Sequence, residues 1–134
     1  MDNIIDYLLD YASSHSIGYK LTHDLPSSIP SCAFPETHEV LINMEWHNHE
    51  ELPFQIAHEL GHVINGDTGI RYYESFPTRS TSEYKANVVG IQLLLRYCKD
   101  NQIVVNNPID FCERFGVPAH LETTVAYQIQ HFNN

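Results

Sequence analysis

The stretch Glu50-Glu51-Leu52-Pro53-Phe54-Gln55-Ile56-Ala57-His58-Glu59-Leu60-Gly61-His62-Val63-Ile64 decides how this chain is read. Leu52, Phe54, Ile56, Ala57, Leu60, Val63 and Ile64 recur with helical spacing and give it a broad apolar face. Glu50 and Glu51 sit where the positive end of a helix dipole favours acids, and Pro53 is tolerated only in a first turn. Gly66, just beyond, can end the helix. His58 and His62 are four residues apart, so both imidazoles lie on one face, one turn apart. Two neutral imidazoles so placed can share a zinc ion, with a third protein ligand and a water completing the tetrahedron. Glu59 can then face that water and take its proton as general base. Gly61 costs the helix about 1 kcal/mol relative to alanine, which signals that something approaches the backbone closely there.

The third ligand has to be found elsewhere. In the extended pattern HExxHxxGxxH the glycine position is Asn65 and the third histidine position is Thr68, so that pattern fails. A carboxylate from a later helix is the usual alternative. Glu83 is the first candidate, because Ser80-Thr81-Ser82-Glu83 opens a second helix running to about Tyr97. Apolar residues occupy most of that helix's circumference, which predicts burial, and an inward-facing charge there needs a partner such as a metal. Glu83 also stands three residues after the N-cap Ser80, the capping-box position, so two roles compete for one side chain. Glu74 and Asp67 are rival ligands, and Asp67 could instead orient an imidazole from behind. A developing oxyanion needs a further donor; Tyr72 and Tyr73, between the two ligand helices, stand ahead of His23, His47 and His49. For the tyrosines themselves, the reading as loop aromatics packed over the core is favoured over that role.

Outward from this centre, residues 3–14 carry a helical stripe of Ile4, Ile5, Leu8, Leu9 and Ala12. Ile17 to Leu21 reads as a short strand, Pro26 to Pro35 as an irregular loop, and Glu39 to Met44 as a second strand. Asp67 to Arg79 reads as a loop. Asn106-Asn107-Pro108 starts a helix that Gly116 ends, and Pro118 opens a last helix toward His131. The expected fold is α+β: one mostly helical domain, residues 1–134, with a small sheet.

Composition excludes several functions. Seven basic against seventeen acidic residues give a net charge of −10, which repels phosphate and speaks against direct nucleic-acid binding. The last two helices have the cadence of a helix-turn-helix, but the second carries no lysine or arginine. No apolar run approaches a membrane span, and Met1-Asp2-Asn3-Ile4-Ile5-Asp6 has no basic leader, so a cytoplasmic protein is expected. Cys32, Cys98 and Cys112 are odd in number and widely spaced, which reads as reduced thiols in a core.

His58-Glu59-Leu60-Gly61-His62 followed by Glu83-Tyr84-Lys85-Ala86-Asn87 resembles the ImmA/IrrE family of bacterial and phage metallopeptidases. Its members pair an HExxH helix with a following ExxAN helix, and the likeness covers residues 38–95. It implies a zincin-like active-site helix, Zn2+ as cofactor, His58, His62 and Glu83 as metal ligands and Glu59 as the catalytic base. Asn87 would share the face of Glu83. The resemblance also implies the substrate: a helix-turn-helix repressor of a phage or mobile element, encoded nearby. A non-catalytic zinc-binding interaction protein and a toxin-like member of a toxin–antitoxin pair are the other readings; an intact glutamate between two histidines favours catalysis.

Overall fold

The computed structural model describes residues 2–74, 77 and 80–132. The chain runs α1 (Asp2–Ser14), β1 (Gly18–Thr22), β2 (Cys32–Phe34), β3 (Glu39–Asn43), α2 (Leu52–Ile64), β4 (Arg71–Tyr72), α3 (Thr81–Asp100), α4 (Pro108–Phe115) and α5 (Glu122–His131). Short 3-10 turns precede β3, α2 and α5. The α+β expectation stands: a mostly helical chain with a small four-stranded sheet. No helix among the described residues is long and apolar enough to cross a membrane.

The sheet has the order β1-β3-β2-β4, with β1 parallel to β3 and the other pairs antiparallel. Two of these strands correct the sequence reading. β2 lies inside the stretch expected to be an irregular loop, and β4 inside the loop after the histidine helix. Three residues and two residues are too few to show alternation, and both strands exist because a neighbour is already there to pair with. The 26–31 segment is held by Asn43, whose Nδ2 donates to the carbonyls of Pro26 (2.9 Å) and Ile29 (2.7 Å).

Helix α2 is the central element: every residue from Leu52 to Val63 is buried. It lies under Ala33, Val40 and Ile42, all buried, and also touches α1, α3 and α4. Gln55 ties it to the sheet, its Oε1 accepting from the Ser31 hydroxyl, which in turn accepts from the Asn43 backbone N–H. Helix α3 is less enclosed than its composition predicts. Ala86, Gly90, Ile91 and Leu94 are buried against α2, whereas Tyr84 on the other side is 53% exposed.

The close approach signalled by Gly61 is the contact with α3. A Cβ on Gly61 would stand 2.8 Å from the Ala86 carbonyl oxygen and 3.2 Å from the Ala86 Cα. The contact is reciprocated one turn along, where a Cβ on Gly90 would meet the His58 backbone nitrogen at 3.2 Å. Backbone rather than side chain is what each would strike, so neither can be relieved by a rotamer change. Gly61→Ala is therefore expected to lower stability by about 1–3 kcal/mol despite its better helix propensity, read from the denaturant midpoint. An unchanged or raised midpoint would mean that the helices can part without cost.

Candidate metal centre

Where α2 and α3 touch, their side chains converge. One nitrogen each from His58 and His62 and one oxygen from Glu83 all lie within 4.8 Å of one another, and all three residues are buried. His58 Nε2 is 3.0 Å from Glu83 Oε1, and His62 Nε2 is 2.9 Å from Glu83 Oε2. Glu83 thus faces both histidines, and the competition foreseen at the helix start is settled. Ser80 caps α3 by accepting from the Glu83 N–H (3.4 Å), while the Glu83 carboxylate turns to the imidazoles. Neither rival joins the cluster: Glu74 is exposed, and Asp67 stands behind His62.

Asp67 Oδ2 lies 2.7 Å from His62 Nδ1. An ionised carboxylate only accepts, so Nδ1 carries the proton and the Nε2 lone pair faces Glu83. The end of α2 delivers this aspartate. Gly66 takes a left-handed conformation (φ 68°), its N–H bonding the Val63 carbonyl (3.1 Å), and the Asp67 N–H returns to the His62 carbonyl (3.2 Å). That is a Schellman ending, and it ties Asp67 to His62 by backbone as well as side chain.

Six buried side-chain polar atoms lack a hydrogen-bond partner among the described residues, on Gln55, His58, Glu59, His62 and Tyr73. Such atoms are rare in folded proteins, and here four of the six belong to His58, Glu59 and His62. His62 Nε2 is among them, since its line to Glu83 is poor for a hydrogen bond despite the short distance. A lone pair held 2.9 Å from a carboxylate oxygen is repulsive unless a proton or a metal ion lies between them. Two imidazole nitrogens and one carboxylate suit a divalent transition metal with a position left open. Burial alone would raise the Glu83 carboxyl, but with the metal absent, protonated imidazoles of His58 and His62 beside it overrule burial and bring it down to about 2.

Glu59 is fully buried, and neither of its carboxylate oxygens has a partner among the described residues. Burial first, and the negative Glu83 second, push its carboxyl well above the ordinary range. Tyr73, 3% exposed, sets its ring edge-on to His58 with centroids 5.6 Å apart, and burial raises its hydroxyl strongly. Tyr72 is 53% exposed. The other candidate donors are engaged elsewhere or in solvent: His23 pairs with Glu45, His47 with the Ser27 carbonyl, and His49 is exposed. Asn87 is buried one turn beyond Glu83.

One residue at the centre escaped the sequence reading. Arg71 pairs in register with buried Ala33, and its Nη1 lies 3.8 Å from Glu83 Oε2. Period-two alternation through Arg71-Tyr72-Tyr73 sends the first and third side chains to one face. That signal was available only to a reader who saw a strand in the loop.

Two outcomes follow for the protein itself. Asp67→Asn is expected to weaken metal binding by about 10–100-fold, measured by competition with a chromophoric chelator, because an amide leaves the His62 tautomer unfixed. Affinity equal to wild type would show that Asp67 orients nothing. In chelator-treated protein, folded Glu59 holds its proton more tightly than unfolded chain does, so its contribution to stability is lost as pH rises above the ordinary carboxyl range. Glu59→Gln is then expected to melt higher than wild type at about pH 8, the gap closing toward about pH 4. A gap independent of pH would place the Glu59 charge in solvent.

A family profile described as the IrrE N-terminal-like domain, Peptidase_M78, matches residues 14–121. No curated protein and no solved structure matches the chain. The profile spans β1 through the turn before α5, and so includes α2 and α3, which carry His58, His62 and Glu83, as well as the sheet and α4. The chain, in which His58, His62 and Glu83 could together hold a metal ion, belongs to the IrrE N-terminal-like family of metallopeptidases.

Proposed function

We propose that the protein is a zinc-dependent endopeptidase that cuts a specific protein substrate, a helix-turn-helix repressor encoded nearby. One observation carries the chemistry: two imidazole nitrogens and a carboxylate facing one another in a buried cluster, with an unpartnered carboxylate, Glu59, on the same helix. His58, His62 and Glu83 hold the ion, and zinc suits this donor set with one position left for water or substrate. Bound there, zinc would supply Lewis acidity and lower the pKa of a water.

The remaining steps belong to the chain. Glu59 takes the proton of the water as its oxygen bonds to the scissile carbonyl carbon and the carbonyl π pair moves onto oxygen. When that pair returns and the carbon–nitrogen bond breaks, Glu59 gives the proton to the leaving nitrogen. Its raised affinity for a proton suits both transfers. A peptide can be presented by β4, which among the described residues is the edge of the sheet and pairs with β2. Surface charge supports the repressor as substrate: a net charge of −10 attracts a basic partner, and a DNA-binding protein carries a cationic face.

The test pairs metal analysis with cleavage. Wild type is expected to hold about one zinc per chain, and His62→Ala and Glu83→Ala to lose it. Coexpressed with the neighbouring repressor, wild type should cut it, while Glu59→Gln leaves it whole and keeps zinc. The enclosed ligands also imply slow digestion of casein. A repressor left intact by wild type, or cut as fast by Glu59→Gln, would end the peptidase reading; rapid casein digestion would end the claim of specificity.

A further inference from the structure

The peptidase chemistry leaves one charge unassigned, the negative charge that gathers on the substrate's carbonyl oxygen. The geometry points to Arg71 as the residue that receives it, an assignment that rests on the peptidase reading and extends it. The guanidinium is half-buried and held from two sides. Its Nε donates to the Thr68 carbonyl (3.0 Å) and its Nη1 to the Ser82 hydroxyl (2.9 Å). Nη2 has no partner among the described residues.

A purely structural arginine would be expected to bond the nearby carboxylate. Arg71 does not: Nη1 is 3.8 Å from Glu83 Oε2, beyond hydrogen-bond reach, so Glu83 is fixed by the histidines and not by Arg71. The guanidinium instead forms the wall of a cavity of about 340 Å³ lined by Ile70, Arg71, Tyr72, Glu74, Ser80 and Glu83. That cavity brings solvent-accessible space to the cluster at Glu83, on the side of the edge strand. A carbonyl entering this cavity meets Arg71 and Glu83 together, and Glu83 in turn contacts both histidines. Arg71 is then a fixed cation beside the reacting carbonyl, already anchored and needing no reorganisation when the charge appears.

The tyrosines are poorer donors. Tyr73 keeps its hydroxyl inside the core, next to Phe54 and His58, and Tyr72 is largely in solvent. A guanidinium also carries a full positive charge at every pH at which the protein is folded, whereas a phenol offers a developing anion only a neutral hydroxyl.

The experiment compares zinc-loaded wild type with Arg71→Ala and Arg71→Lys on a proteome-derived peptide library, read by mass spectrometry, and then on one cleaved peptide for kcat and KM. Arg71→Ala is expected to lose about 100–1000-fold in kcat with KM and zinc content near wild type. Guanidinium ion added at millimolar levels should return part of that loss in Arg71→Ala alone, and Arg71→Lys should fall between. Binding gives a readout free of turnover. The tripeptide Phe-Ala-Ala with its first peptide bond replaced by a phosphinate carries a tetrahedral anion, and Arg71→Ala should lose about 100-fold in affinity for it. Affinity for the unmodified tripeptide should not change. Wild-type kcat in Arg71→Ala, equal loss for both tripeptides, or a loss of activity that follows a loss of zinc would overturn the assignment. Should the alanine variant fail to fold, Arg71→Lys with wild-type kcat and phosphinate affinity would show that the fork of donors is not used. Failure of the peptidase reading looks different, because zinc-loaded wild type then leaves the whole library uncut.

Discussion

Everything at the centre depends on how closely α2 and α3 can approach. Helices packed through ordinary side chains stand about 8–10 Å apart. Here glycine on each helix faces backbone on the other, Gly61 against Ala86 and Gly90 against the Ala57–His58 peptide. The two contacts are one turn apart, so they fix the relative shift of the helices as well as their spacing. His58 and His62 flank Gly61 on α2, and Glu83 lies one turn before Ala86–Asn87 on α3. Small residues at the crossing thereby bring Glu83 to 2.9–3.0 Å from both imidazoles. Loss of either glycine would move ligands that are themselves unaltered.

That arrangement places acids where the fold would do better without them. Glu59 is enclosed with no partner, Glu83 raises its proton affinity further, and a glutamine or leucine of similar size would sit there at lower cost. Stability and chemistry pull apart at this position. A carboxylate kept short of hydrogen bonds retains its capacity to accept a proton, and a site walled by α2, α3 and the sheet keeps bulk water from competing for it. Unpartnered atoms on His58 and His62 of the same helix make the polar vacancy collective rather than an accident of one side chain.

Much of this was legible in the residues, for identifiable reasons. The histidine helix, its glycine and its stop were readable because spacing, backbone volume and left-handed capping act within a few residues. The helical assignments at 3–14 and 108–115 hold for the same reason. Glu83 was readable as the first candidate from its place on the second helix and from the ExxAN pattern, although capping and ligation ask for the same residue; the tertiary approach of α2 shows where its carboxylate turns. β2, β4 and Arg71 were out of reach because their structure comes from pairing across the sheet, which leaves no trace in two or three residues. The overestimated burial of α3 has the same origin: composition counts apolar residues, whereas Tyr84 is set in solvent by the direction of the crossing.

The two elements that flank the ligands show how local rules become site geometry. At the end of α2 a glycine turns the chain left-handed, and the next residue is returned to the last turn, where its carboxylate meets the imidazole it had just passed. Along β4 a strand two residues long imposes alternation, and alternation alone puts a guanidinium at Glu83 and a phenol at His58. Neither device involves the metal ligands themselves. Both act on what stands behind or beside them, fixing a tautomer in one case and a field in the other. Ligand identity in such a site is set by three residues, but the electronic state of those residues is set by a helix cap and an edge strand. Relatives that keep the three ligands and change the cap or the strand would therefore keep the metal while altering its affinity and the chemistry at its open position.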